Sequence, residues 1–483
     1  MRFLLRPAPE VAIKSKPVRR RHMRLLRQNI RKLLRAVDPR ISVEGTWDRV
    51  TVTGPDEPGQ EAAALDVLQR TPGLSVIQAV TTFPLTTLDD LAERARVAFA
   101  PVLPGRTFAV RVRRHGQHDF RSVDVARRVG RHLLVHTGAA GVDLDRPEVT
   151  VRVEVAEQQV SLVQRRYSGL GGYPLGSVDS VMTLVSGGYD STVAAYQMLR
   201  RGVRSHFLFF NLGGLAHEAG VRQMVHHLWQ RYGASHSARF ISVPFDGVVA
   251  EIMRTVNHRH WGVVLKRQML RAASGIAEMN NTTTLVTGDA VAQVSSQTLA
   301  NLAVIDRASS ALVLRPLVAM DKEDIIDLAR AIGTEPYARM MPEYCGVISE
   351  RPVTRANPGR IERDEARLNP LVLKQAIDDR QDCQVSELMV SEVTPNDVEL
   401  VRTPATDDVI IDVRHPDEGE RAPLALTGNR VMRIPFYELG QAVSSLPRDQ
   451  QYLLYCEQGT MSRLHAGHLR AGGYGNIKVY APG

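Results

Sequence analysis

Along the first 85 residues, apolar positions follow two rhythms. Residues 3–5 (FLL), ISVEG, RVTVTG and SVIQAVTTF carry the short, alternating or continuous apolar pattern of strands. Between the first two of these, Leu26, Ile30, Leu33, Leu34 and Val37 recur on one face of a 3.6-residue period. Arg20, Arg24, Arg27, Arg31 and Arg35 form the neighbouring stripe, which predicts an amphipathic helix with a basic side. QEAAALDVLQR reads as a second helix before the last strand.

The resulting order, β-α-β-β-α-β, is that of a ferredoxin-like unit. We place this N-terminal domain at residues 1–60, as the start of a unit that extends to about 84. A second basic α/β domain follows at 61–166. There TFAVRVRRHGQHDF alternates as a strand ending in Arg113, Arg114 and His115, and SVDVARRVGRHL reads as a capped helix with Arg127, Arg128 and Arg131. YSGLGGYPLGSVDS then supplies glycine and proline without periodicity, as a linker does. From 176 to 393, VMTLV, HFLFFNL, RFISVPF and TTLVTGD alternate with helical patterns, predicting a parallel sheet covered by helices. TPNDVELVRTPATDD breaks the pattern, and VIIDV, RVMRIPF, QYLLYC and IKVY mark a small α/β domain at 404–483. The fold class is α/β, multidomain.

Composition narrows the chemistry. The 61 Lys and Arg against 52 Asp and Glu give a net charge of +9, and much of the basic excess gathers in the first two domains. Two successive basic units point to a phosphate backbone as partner, with Arg20, Arg24, Arg113, Arg114 and Arg128 as candidate RNA-binding residues. The chain has only three cysteines, Cys345, Cys383 and Cys456, with no CxxC pair, so neither a disulfide framework nor a cysteine zinc site is expected. MRFLLRPAPE is too short in its apolar run for a signal peptide, and no run approaches a membrane span; the expectation is a cytoplasmic protein with reduced thiols. His217, His226, His227 and His236 lack cysteine or paired carboxylate neighbours, and a metal cluster there is set aside.

Two corners carry chemistry. In VMTLVSGGYDSTVAAY an apolar strand runs into Ser186, Gly187, Gly188, Tyr189, Asp190 and Ser191 before a helix begins. Consecutive glycines let amides turn toward an anion, the hydroxyls add donors, and the helix N-terminus adds favourable potential. No Gly-Lys-Ser/Thr follows, so this is not a Walker loop. It resembles the pyrophosphate loop (PP-loop) of the N-type ATP pyrophosphatases, which cleave ATP between the α and β phosphates. Asp190 would organise magnesium or phosphate, Lys266 and Lys322 would neutralise phosphate charge, and Gly288 would allow close approach of backbone to a nucleotide. The second corner is YLLYCEQGTMSRLHAG, where Cys456 stands between a strand and a helix. With IIDVRHPDE upstream, it resembles the rhodanese domain, whose cysteine carries a persulfide. Loop amides, Gly459, the helix N-terminus and Arg463 would stabilise a thiolate there. Six residues separate Cys456 from Arg463, one more than a phosphotyrosine-phosphatase loop requires, which favours sulfur over phosphate.

Taken together, PEVAIKS, FAVRVRRHGQHDF, FFNLGG, AQVSSQT, MPEYCGVIS and the terminal cysteine loop closely resemble the bacterial tRNA 4-thiouridine synthetases in their long form. The resemblance implies a THUMP RNA-binding domain, an ATP pyrophosphatase domain of the adenine nucleotide α-hydrolase-like kind and a rhodanese domain. It implies ATP and Mg2+ as cofactors, and ATP-dependent replacement of O4 by sulfur in the uridine at tRNA position 8. Its implied partners are tRNA, a cysteine desulfurase as sulfur donor and a sulfur-carrier protein of thiamine-thiazole synthesis; a homodimer is compatible with the sequence. Carried over by position, ATP contacts fall on Leu184, Val185, Ser186, Gly187, Gly188, Ser191, Lys266, Gly288 and Gln297. Asp190 and Lys322 serve catalysis, Cys456 carries the persulfide, and Cys345 is the resolving thiol that forms a disulfide with it. Asp289 stands where relatives commonly have glutamate. Cys383 receives no role.

Overall fold

The computed structural model of the chain describes all residues except 47–48, 213, 340, 342–350, 389–397, 415, 425–427, 458, 472 and 483. It divides into two compact units, residues 1–177 with 200–202 and residues 178–199 with 203–483.

The first unit begins β1 (Arg2–Pro7), α1 (Lys16–Arg35), β2 (Ser42–Gly45), β3 (Val50–Thr53), α2 (Gln60–Gln69) and β4 (Leu74–Pro84). This is the ferredoxin-like order the pattern predicted. The strand that closes it, β4, reaches Pro84, so the longer extent includes the complete unit and a cut at residue 60 would fall at the start of α2. There follow α3 (Leu88–Phe99), β5 (Thr107–His115), α4 (Ser122–His136), β6 (Gly141–Val142), β7 (Val149–Ala156) and β8 (Gln159–Ser168). All eight strands form one sheet, in the order β2-β3-β1-β4-β8-β7-β5-β6. The two basic domains therefore share a backbone ladder through the antiparallel β4–β8 pair.

Strand alternation decides the layers. Phe3 and Leu5 join Met23, Leu26, Ile30 and Leu34 of α1 in one core, while Phe108, Val151 and Val153 join Ala92 of α3 and Val129 of α4 in another. The intervening Leu4 faces the other way and meets only Val80 and Val163. Among the described residues, that opposite face draws no helix residue into its apolar cluster.

The second unit contains β9 (Val178–Val185), α5 (Tyr189–Arg200), β10 (Val203–Asn211), α6 (Gly214–Tyr232), β11 (Arg239–Pro244), α7 (Trp261–Met279), β12 (Thr284–Val286), β13 (Leu312–Leu314), α8 (Lys322–Ala331) and β14 (Gln381–Gln384). Its six-stranded sheet runs β13-β12-β9-β10-β11-β14 and is parallel except for β14. β14 was not expected: QDCQ has no apolar alternation, and its place on the sheet edge demands none.

The chain then forms β15 (Leu400–Val401), β16 (Val409–Asp412), β17 (Arg430–Arg433), α9 (Phe436–Ala442), β18 (Tyr452–Tyr455), α10 (Thr460–Ala471) and β19 (Ile477–Tyr480). These strands make an all-parallel sheet ordered β15-β19-β18-β16-β17. One apolar cluster extends from Met182, Leu208 and Ile241 through to Ile411, Leu454 and Val479. Helices α9 and α10 pack on α6, which also lies against β10. Among the described residues no helix is long and apolar enough to cross a membrane.

Candidate active site

In the six-stranded sheet the chain winds outward from β9 through β10 to β11 on one side, then returns to place β12 and β13 on the other. The carboxyl ends of β9 and β12 therefore flank the point where strand order reverses, the usual ligand crevice of an open α/β sheet. Ser186–Ser191 follow β9 at this crevice. Gly187 has φ +89°, and a Cβ there would stand 2.8 Å from Met341 Cγ, so only glycine suits the turn. The loop folds on itself: the Ser186 amide donates to Ser191 Oγ at 3.2 Å, and that hydroxyl donates to the Gly188 carbonyl at 3.3 Å. Beneath it His217 of α6 lies 2.9 Å through Nε2 from the Ser186 carbonyl. Burial pushes this imidazole down to about 4, against the opposing effect of that carbonyl. Neutral at physiological pH, His217 donates from Nε2 and ties the loop to α6.

Asp190 is held at the mouth of the loop. Lys322 Nζ, at the start of α8, reaches its carboxylate oxygens at 2.8 and 3.0 Å, and Gln293 Nε2 donates to it at 2.9 Å. The loop after β12 carries a second, more buried carboxylate. Asp289 accepts from Lys266 Nζ at 2.7 Å, Thr287 Oγ1 at 2.8 Å, Gln297 Nε2 at 3.2 Å and Arg315 Nε at 3.3 Å. Burial alone would raise its carboxyl, but Lys266, Thr287 and Arg315 hold it well below the usual carboxylate range. Gln297 Oε1 is buried there without a hydrogen-bond partner among the described residues.

Two residues expected to contact ATP also meet protein here. Lys266 is drawn onto Asp289, so it shapes the crevice through an ion pair. Gly288 makes room for protein: a Cβ there would lie 2.6 Å from Asp190 C and Ser191 N, so the glycine lets the β12 loop press against the β9 loop. Leu184 and Val185 are the last two residues of β9, at the head of the crevice.

The second corner stands at the carboxyl end of β18, next to the reversal between β16 and β18 in its own sheet. Cys456 is only 6% exposed. The Ser462 amide donates to Cys456 Sγ at 3.3 Å, and the thiol lies 3.4 Å from Ser462 Oγ. Gly459, with φ +70°, turns the loop, and Ser462 Oγ also reaches its carbonyl at 3.2 Å. Arg463, expected beside the sulfur, is exposed and lies over Gly459: a Cβ on that glycine would be 3.7 Å from Arg463 Nε. Adjacent positions on α10 explain the difference, since Ser462 is buried against the sulfur and the next residue, Arg463, turns outward. Upstream, buried Arg414 pairs with Asp412 through Nη2 at 2.7 Å and lies 5.0 Å over the Tyr455 ring, bracing the strand that ends at Cys456.

Cys345 lies outside the described residues. Met341, a described residue, touches the space at Gly187 and Gly220. Cys383 sits on β14, its thiol pushed up by burial. Among the candidate RNA-binding residues, Arg20, Arg24 and Arg113 are exposed. Arg114 is within 3.4 Å of His118 Nδ1, and Arg128 pairs with Asp89. Gln293, Arg315 and Ser462 escaped the sequence reading, and His217 entered it only in a histidine set that was put aside. Only Gln293 and Ser462 had a usable signal, as polar residues inside motif loops.

The family described as Thiamine biosynthesis protein (ThiI) matches residues 176–369, the THUMP domain matches 86–163, and the ThiI ferredoxin-like domain matches 2–77. The chain is 64% identical to a tRNA sulfurtransferase of Marinobacter nauticus and 47% identical to one of Pseudomonas aeruginosa, each over 100% of both chains. Among solved structures it is similar to a 4-thiouridine synthetase crystallised with RNA and bound ATP, with TM-score 0.70 and 24% identity, over 80% of this chain and 99% of that one. A protein of Pyrococcus horikoshii, PH1313, matches with TM-score 0.53 and 17% identity over 69% of this chain and all of its own.

Proposed function

The chain belongs to the tRNA sulfurtransferase family, and we propose that it activates a tRNA uridine with ATP at the corner after β9 and thiolates it with sulfur carried on Cys456. The position is uridine 8 and the product 4-thiouridine. The observation that supports this most is the pairing, within one compact unit, of an anion-binding loop at a sheet switch point with a buried cysteine at the head of a helix.

The residues fit ATP. The Ser186–Ser191 loop offers amides and hydroxyls at the N-terminus of α5, as phosphates require. Gln297 Oε1 is a buried acceptor with its capacity unspent, suited to an amino donor on the nucleobase. Lys322 offsets charge on departing pyrophosphate, and Asp190 orients that lysine and would share in holding the Mg2+ that accompanies ATP.

The chemistry divides between the corners. A carbonyl oxygen at C4 is a poor leaving group; bonded to AMP, with pyrophosphate released, it becomes a good one. The terminal sulfur of the Cys456 persulfide adds at C4 and AMP departs with the oxygen. The Cys345 thiolate then attacks Cys456 Sγ and breaks the S–S bond to the transferred sulfur. The product keeps that sulfur, and a Cys345–Cys456 disulfide remains, which a thiol reductant resets with two electrons. A cysteine desulfurase supplies the persulfide. The same persulfide serves a second acceptor, the carrier protein of thiamine-thiazole synthesis. The exposed Arg20 and Arg24 stripe on α1 engages the tRNA backbone.

The test is to incubate the protein with ATP, tRNA, cysteine and a desulfurase and follow absorbance of the thiolated base together with AMP release. Stoichiometric AMP and thiolated base are expected. AMP release driven by a small acid, with tRNA unmodified, would overturn the assignment.

A further inference from the structure

The turn that follows Asp289 carries two glutamines, and each is tied to one of the two carboxylates of the crevice. Gln297 Nε2 donates to Asp289 Oδ1 at 3.2 Å, and Gln293 Nε2 donates to Asp190 Oδ2 at 2.9 Å. A carboxylate engaged by lysine can only accept, so each amide is oriented with its NH2 toward the carboxylate and its Oε1 away from it. Among the described residues neither oxygen receives a hydrogen bond. Gln297 is buried, whereas Gln293 is exposed beside Asp190. One turn thus presents two oriented acceptors, one inside the crevice and one at its entrance.

An exposed amide oxygen is ordinarily left to water, but the backbone that aims this one is strained. Ala292, immediately before Gln293, has φ +64°, in the left-handed region that a residue with a Cβ rarely adopts. Hydrogen bonds pin it there: the Val291 amide donates to the Val318 carbonyl at 3.1 Å, and the Ala292 amide to the Gln297 carbonyl at 3.0 Å. Strain of this kind persists only where the surroundings over-determine it, and it gathers at ligand-binding positions. The same turn exposes two large apolar side chains, Val291 at 39% and Val294 at 49%. Gln293 therefore offers one acceptor on an apolar rim, next to the charged pair of Asp190 and Lys322. A phosphate, which has only acceptors, gains nothing from such a group; a flat base with an N–H donor does.

Resting on the uridine-activation reading above, we infer that Gln293 is a specificity-determining residue whose Oε1 accepts from N3–H of the substrate uracil, with Val291 and Val294 as the apolar rim of the base site. Uracil and cytosine differ at this edge: uracil N3 carries a proton and donates, whereas cytosine N3 is an acceptor and would face Oε1 lone pair to lone pair. N3 is also bonded to C4, so a hydrogen bond there fixes the reacting carbonyl relative to Asp190. Reading an unstacked base along its Watson–Crick edge is the common route to specificity in RNA. The two glutamines then divide the nucleobases of the reaction, Gln297 inside for that of ATP and Gln293 at the entrance for that of the tRNA.

The test compares full-length protein and Gln293→Met on two tRNAs that carry uridine or 3-methyluridine at the target position, with pyrophosphate release as the readout. The methylated base keeps O4 and lacks the N3 proton. The parent is expected to favour uridine by at least ~30-fold in kcat/KM, because a site built to bond an N–H rejects the analogue without it. Gln293→Met should lose at least ~10-fold on uridine and less than about twofold on 3-methyluridine, so that the preference falls at least ~5-fold. ATP affinity of the tRNA-free variant should stay within about twofold of the parent, and Gln293→Ala, without the reach of Met, should show the same fall in preference. Equal losses on both tRNAs would overturn the inference, since they would mean that Gln293 acts only by holding Asp190. Unchanged kinetics on uridine, or a parent that accepts both bases equally, would overturn it too while leaving the activation chemistry in place. A parent that releases no pyrophosphate with either tRNA would overturn the functional reading, and this inference with it.

Discussion

The loop after β9 and the loop after β18 are built alike and filled differently. Each ends a parallel strand beside a reversal of strand order, turns through a glycine of positive φ, Gly187 at +89° or Gly459 at +70°, and opens a helix. The first is polar throughout, with Asp190 held by Lys322 and Gln293, and Asp289 by Lys266, Gln297 and Arg315. The second encloses one sulfur whose described polar partner is Ser462. The shared backbone device presents amides to an anion. Side chains then select which anion: phosphates carry several charges and call for cations, whereas a persulfide carries one diffuse charge that amides and a hydroxyl suffice to hold. Burial also shields such a sulfur from oxidation.

That contrast can be broken at either corner. Cys456→Ala should reduce thiolation and AMP release to background while adenylation, read as pyrophosphate release, and tRNA affinity persist; loss of pyrophosphate release in this variant would mean that the corners do not divide the chemistry. Asp190→Asn should lower AMP formation by ~10²-fold, the scale of removing one preorganised charged group, with the persulfide on Cys456 still forming. Mass spectrometry of the loaded variant separates the two effects. Asp289→Asn leaves Lys266 and Arg315 without their common carboxylate, and breaking such a buried pair costs about 3–5 kcal/mol; a denaturant midpoint unchanged from the parent would remove this network from the account.

Ser462→Ala should slow alkylation of Cys456 by ~5-fold, since one hydrogen bond of about 1 kcal/mol is lost. Ser462→Thr should recover most of it, and an unchanged rate in Ser462→Ala would leave the Ser462 amide as the sulfur's support. His217 gives a subtler signature. Its folded pKa of about 4 lies below the ordinary 6.5, so between these values the unfolded chain binds more protons and stability falls as pH is lowered. Thermal midpoints measured across pH 4–6.5 should show that fall, and His217→Asn should flatten it.

Much of the architecture was legible because period and punctuation agreed. The β-α-β-β-α-β order came from alternating runs and one amphipathic helix, and both corners came from glycine at a strand end. What escaped depended on tertiary placement. The spacing of Arg463 suggested proximity to the thiol, yet the turn of α10 puts Ser462 inward. The ion pair of Lys266 was not legible because its carboxylate, Asp289, lies 23 residues away on another element. β14 lacked any apolar rhythm.

The most direct measurement is a single turnover with labelled sulfur loaded as a persulfide on Cys456 and unlabelled sulfur sources removed. One label per carrier should pass into tRNA when ATP is added, and none without it. Thiolated tRNA free of label, with the label still on Cys456, would contradict the account.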